Sequence, residues 1–167
     1  MKLFYFDENI KNLEYQGKYR KVIEYLEHEV PPSDINCATQ IAYAWYLFIE
    51  GDFLNRKIAL SWKYYKDKWL KKIKYSIKKF KHSPIICFIV AYTLEASGMR
   101  IYSELDFDFE VEYKKLYELC IKDCKDIELT ELCKFISSNK ETNFNYTFIK
   151  ILFPDKSLIN NYFINAL

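Results

Sequence analysis

The sequence predicts an all-α fold of stacked antiparallel helical hairpins, and three observations carry that prediction. Only 3 Gly and 4 Pro interrupt 167 residues, half of which are apolar, so long stretches run without a helix breaker. The breakers Gly17, Pro31, Pro32, Gly51, Pro84, Gly98 and Pro154 divide the chain into helix-sized pieces. Within those pieces apolar residues return every three to four positions, the period of a helix with one buried face.

From Leu13 to Val30 the residues Tyr19, Val22, Ile23, Leu26 and Val30 form one such stripe, which Pro31 and Pro32 terminate. Ser33 or Asp34 can cap the next helix, whose run from Ile41 to Ile49 is apolar on every side and so belongs in the interior. After Gly51, Ile58, Trp62, Tyr65, Trp69, Ile73, Ile77 and Phe80 hold a helical register for almost thirty residues, predicting one helix of roughly 40 Å. Ser83 and Pro84 are an N-cap and first-turn pair for a second interior helix, Ile85–Ala96, ending at Gly98.

Beyond Gly98 the pattern is less regular. Glu104 to Glu112 alternates acid with Leu105, Phe107, Phe109 and Val111, which suits a short extended or strand segment or an acidic loop. Tyr113, Leu116, Tyr117, Cys120 and Cys124 restore a helical period. Thr130–Ile136 reads as a short helix, and Phe144–Phe153 fits helix or strand. Asp155 is placed to cap a last helix carrying Leu158, Ile159, Tyr162 and Phe163. The expectation is one helical domain over 1–167, with hairpins in 1–98 and a C-terminal helical region, 99–167, packed on them.

Composition narrows the function classes. Aromatic residues make up 19% of the chain, with 15 Tyr and 13 Phe, which supplies large core side chains and argues against disorder and against turn-rich all-β folds. The abundance of Lys, Ile, Asn, Tyr and Phe is also what AT-rich codon usage produces. Formal net charge is +2, too small to signal nucleic acid or membrane binding by itself. The first nine residues develop no signal-peptide apolar region, and the longest apolar run, Ile85–Leu94, is about half of the roughly 20 residues a bilayer requires. Five cysteines (Cys37, Cys87, Cys120, Cys124 and Cys133) contain no C-x-x-C pair, so reduced, buried thiols in a cytoplasmic protein are expected.

Gly17-Lys18-Tyr19 and Gly51-Asp52-Phe53 repeat one small-polar-aromatic turn at 34 residues, with Ala44 and Ala91 each seven residues before a glycine. On these residues the segment Leu13–Gly98 resembles degenerate tetratricopeptide-like repeats. Ile10 and Arg56 stand where that pattern has small residues, and Gly51 to Gly98 spans 47 residues. The resemblance implies an α-solenoid-like packing and a protein-binding role. In overall character the chain also resembles the small immunity proteins of bacterial contact-dependent toxin systems, which implies a cognate protein toxin held as a heterodimer.

Two charged stretches are candidate partner surfaces. Glu104, Asp106, Asp108, Glu110 and Glu112 place five carboxylates in nine residues; if extended, they share one face that would complement a basic cleft on a nuclease-type toxin. A solvated loop face is the plainer reading. From Arg56 to Lys81 there are eleven basic residues against one acid, Asp67, and Lys63, Lys66, Lys71, Lys74 and Lys78 are taken as an alternative basic face for a phosphate backbone or an acidic partner. Arg is scarce there, so any nucleic acid contact would be non-specific.

Chemistry is thin elsewhere. Cys120 and Cys124 stand one helical turn apart with no histidine nearby, which favours packing over metal ligation. His28 and His82 fall at helix C-termini, where a ring interacts well with exposed carbonyls. No nucleophile elbow, zinc-protease motif or phosphate loop occurs. The expectation is a non-enzymatic binding protein with no cofactor, no metal and no membrane partner, most specifically an immunity protein. A nucleic-acid-associated or regulatory protein and a peptide adaptor are the alternatives.

Overall fold

A computed structural model describes the backbone of residues 1–54, 61–97, 109–138 and 143–166. Nine helices and no strand occur among them: α1 (Glu8–Tyr15), α2 (Tyr19–His28), α3 (Asp34–Leu54), α4 (Ser61–Lys79), α5 (Pro84–Ser97), α6 (Phe109–Asp123), α7 (Ile127–Ser137), α8 (Thr147–Leu152) and α9 (Leu158–Ala166). From α1 to α8, each packs on the next, and α3 also meets α5 and α9. The fold is all-α and built from helical hairpins.

The ends of these helices follow from local chemistry. Asp7 caps α1 by accepting the Ile10 N–H at 2.9 Å, Ser33 caps α3 through Asn36 N–H at 3.1 Å, and Asp126 caps α7 through Leu129 N–H at 3.0 Å. Ser83 precedes Pro84 at the start of α5 as the sequence suggests, and its hydroxyl also donates to Asp34 Oδ2 at 2.8 Å, tying the N-terminal ends of α3 and α5 together. Gly17 ends α1 at φ +65°, with Lys18 N–H bonded to Leu13 O and Gly17 N–H to Glu14 O. That is the paired 6→1 and 5→2 closure which needs a residue in the left-handed region.

Several expectations are corrected. The segment Leu13–Val30 is divided by the Gly17 turn: Leu13 lies on α1, whereas Tyr19, Val22, Ile23 and Leu26 of the stripe share α2, which ends at His28 before Val30 and the prolines. Gly51 is not a turn: α3 runs through it to Leu54, whereas Gly98 lies outside the described residues. The basic helix α4 covers 19 described residues, roughly 28 Å, and the start of its predicted stripe at Ile58 lies outside the described residues. Asp155 does not cap α9; Ser157 does, accepting Asn160 N–H at 3.0 Å, while Asp155 pairs with Lys2. Thr147–Leu152 resolves Phe144–Phe153 in favour of helix.

Helices apolar all round occupy the interior, because no face of them gains from water. Ile85–Leu94 of α5 is buried throughout, as is Asn36–Leu47 of α3. One hydrophobic core from Leu3 to Phe163 draws on all nine helices. Both of its indole N–H groups are satisfied by α5: Trp45 donates to Ser97 Oγ at 2.9 Å and Trp69 to Thr93 Oγ1 at 3.2 Å. Trp45 meets Tyr92, Tyr162 and Phe163 at ring separations of 5.6–6.0 Å, so α9 closes over the α3–α5 pair through aromatic contacts.

Buried polar groups fix the helix junctions. The Asn36 amide donates to Leu26 O, Val30 O and Pro31 O, collecting carbonyls from the last turn of α2 and from the turn that follows it. Gln40 joins it, donating to Leu26 O at 3.1 Å and Asn36 Oδ1 at 3.0 Å.

Candidate partner-binding surface

A helix advances about 100° per residue, which decides the fate of the basic residues on α4. Tyr65, Trp69, Ile73 and Ser76 point inward and are buried. Lys63, Asp67, Lys71, Lys74 and Lys78 fall on the opposite side and are exposed. Four of the five expected lysines thus share one face, on which Asp67 is the single acid. Lys63, Lys71, Lys74 and Lys78 make no ion pair with the described residues.

Lys66 is corrected. It is only 4% exposed, because its position lies three residues before Trp69 and seven before Ile73, on the core side of the helix. A four-carbon stem tolerates such a site where an ammonium finds polar company.

Beside the lysine face runs an aromatic band facing α2. Tyr64 is flanked by the Arg20 guanidinium of α2 at 5.2 Å and by Lys68 at 5.8 Å. Tyr75, three turns further along, is flanked by Lys72 at 5.1 Å and Lys79 at 5.3 Å. Both rings remain more than one-third exposed. Each therefore sits as a half-open aromatic plate between two cations.

Lys68 is anchored by Glu27 of α2 at 2.7 Å. Burial works against its charge, yet the Glu27 carboxylate outweighs that penalty and raises the Lys68 pKa. Glu27, Lys68, Lys71, Lys72 and Tyr75 line a groove of about 130 Å³ between the helices. Sequence reasoning missed Arg20 and Glu27, since they belong to another helix. The 11-residue spacing of Tyr64 and Tyr75 was the available signal for the plates.

The acidic stretch fares differently. Glu104, Asp106 and Asp108 lie outside the described residues. Glu110 and Glu112 begin α6, where the backbone is helical from Phe109. Positions two apart on a helix stand about 200° apart, whereas on an extended strand they share one face. A strand reaching to 112 is thereby excluded for 109–112.

The remaining candidates lie away from this surface. Cys120 is buried against Cys133, and the half-buried Cys124 thiol donates to Asp126 O at 3.4 Å. No group of three or more His, Cys, Asp or Glu among the described residues is arranged to hold a metal ion. His28 is the last residue of α2, and His82, beyond α4, lies 3.8 Å from Asp123 of α6. No helix among the described residues is long and apolar enough to cross a membrane. No protein-family model, curated protein or solved structure matches the chain.

Proposed function

We propose that this chain is a non-enzymatic binding protein of the immunity class, which occludes a cognate protein toxin and meets an acidic surface of it with the exposed face of α4. The observation that supports this reading is the concentration of Lys63, Lys71, Lys74 and Lys78 on one face, beside tyrosine plates held by further cations. Like-charged side chains that lack a local partner gain from an opposite-sign surface, which speeds encounter and fixes register.

Co-expression with a toxin encoded beside its gene tests the proposal. Wild-type chain restores growth, and the folded quadruple variant Lys63→Glu, Lys71→Glu, Lys74→Glu, Lys78→Glu does not. If instead Asp106→Lys, Asp108→Lys, Glu110→Lys abolishes protection and the lysine variant does not, the acidic stretch is the contact. A chain that restrains no neighbouring toxin removes the immunity reading.

The same face supports a second reading, a nucleic-acid-associated protein, because exposed rings between cations suit single-stranded bases and phosphates. Anisotropy with a 20-nucleotide RNA or DNA would then show affinity falling steeply with salt. Absent or salt-insensitive binding sinks this alternative.

A further inference from the structure

The α6–α7 hairpin holds a second kind of chemistry. Only Cys124, Lys125 and Asp126 separate the two helices, and the Asp126 cap fixes where α7 begins. That short connection brings the fourth residue from the end of α6 opposite the seventh residue of α7. They are Cys120 and Cys133, both free thiols and both without solvent exposure. Their sulfurs lie 2.9 Å apart, with each thiol as the other's polar partner.

The other cysteines are placed differently. Cys37 is on α3 and Cys87 on α5, each buried in its own apolar helix. Cys124 directs its thiol to the Asp126 carbonyl. Among the five cysteines, Cys120 and Cys133 are the pair with their sulfurs in direct contact.

We propose that Cys120 and Cys133 are a disulfide-forming pair that clips α6 to α7. The oxidant is a small-molecule disulfide of the glutathione class. One S–S bond forms between Cys120 and Cys133, the S–S bond of the oxidant breaks, and the two thiol protons leave with the two released glutathione thiols. The two electrons lost by the cysteines reduce that oxidant, so the exchange is balanced.

Burial sets the kinetics. Attack requires a thiolate, and the hydrogen bond with Cys133, together with burial, pushes the Cys120 thiol far above its usual pKa. The closed fold thus protects both the dithiol and, once formed, the disulfide. Exchange proceeds through opening of the hairpin or during folding.

Refolding the reduced, denatured full chain with oxidised glutathione, followed by alkylation and peptide mapping, tests the pair. The expected product joins the Cys120 and Cys133 peptides and leaves Cys37 and Cys87 alkylated; Cys124→Ser gives the same link. The linked chain melts higher by about 5–10 °C, as a loop of this size predicts. The native reduced chain oxidises at least about tenfold more slowly than the unfolded one. A Cys124–Cys133 link, recovery of native protein with all five thiols alkylated, or a linked form that melts no higher overturns the proposal.

Discussion

The carboxylate of Glu14, on α1, accepts the backbone N–H of Leu158, the first residue of α9, at 3.0 Å to each oxygen. The Tyr43 hydroxyl donates to the same carboxylate from α3. One side chain thus supplies a helix N-terminus with an acceptor and satisfies a phenol that is only 1% exposed. Glu14→Ala leaves both donors unpaired and is expected to cost about 2–4 kcal/mol in urea unfolding at pH 7. A loss below about 0.5 kcal/mol would mean that water replaces the carboxylate at no cost.

The pH dependence of that contact has a definite sign. Burial is the largest influence on Glu14 and raises its pKa above 4.5, against the opposing hydrogen bonds from Tyr43 and Leu158. The proton-linked part of its stability is complete below the unfolded pKa and is lost as pH rises through the folded value, while the hydrogen bonds from Tyr43 and Leu158 remain at pH 7. Asp7 has the opposite sign. Burial works against its charge, but hydrogen bonds from Tyr25, Ile10 N–H and Tyr5 together hold its pKa below 3.8. Asp7 therefore stabilises above its unfolded pKa and loses that contribution as pH falls through the folded one. Melting curves from pH 3 to 7 should show Glu14→Gln losing the first slope and Asp7→Asn the second. Identical pH profiles for wild type and both variants would refute the assignment.

Gly17 is the one described glycine with positive φ, and a Cβ there meets no atom within 4 Å. Its substitution is therefore a test of backbone conformation alone. Gly17→Ala is expected to cost about 1 kcal/mol and Gly17→Asn less, because Asn tolerates the left-handed region better. Equal costs for the two in chemical denaturation would contradict this account.

Thr93 Oγ1 accepts the Trp69 indole N–H while its own proton goes to Ile89 O at 2.9 Å. Thr93→Val keeps the shape but removes the acceptor, stranding an indole N–H in a side chain with no exposure. The expected loss is about 1–3 kcal/mol, with Thr93→Ser largely restoring stability. A Val variant as stable as wild type would show that the bond is not needed.

Legibility in the sequence tracked the range of the interaction. Ser33, Ser83 with Pro84, and Gly17 act within one helical turn of themselves, and their roles could be read directly. Gly51 was misread because a glycine signals a turn only when nothing longer-ranged opposes it. Within a helix it costs about 1 kcal/mol, which packing of α3 against four other helices outweighs. Lys66 was assigned to the basic face by residue type, while its angular position, about 20° from Ile73, sends it inward. On the candidate surface the lysine face was legible, since it lies on one helix. Arg20 and Glu27 were not, because they reach that surface from α2.

The N-terminal segment and the C-terminal helices are sewn to each other: Leu3 N–H bonds Leu152 O, Lys2 pairs with Asp155, and Glu14 meets Leu158. Nearly all other helix pairs are neighbours in sequence. Assembly of the chain thus divides into many short-range steps and one long-range closure, and the loop-closure entropy of the latter is offset only after α3 presents its aromatic face to α9. Docking of α9 is on this ground the last event in folding and the first to reverse, so early hydrogen exchange should concentrate between Ser157 and Ala166 while α3 and α5 stay protected.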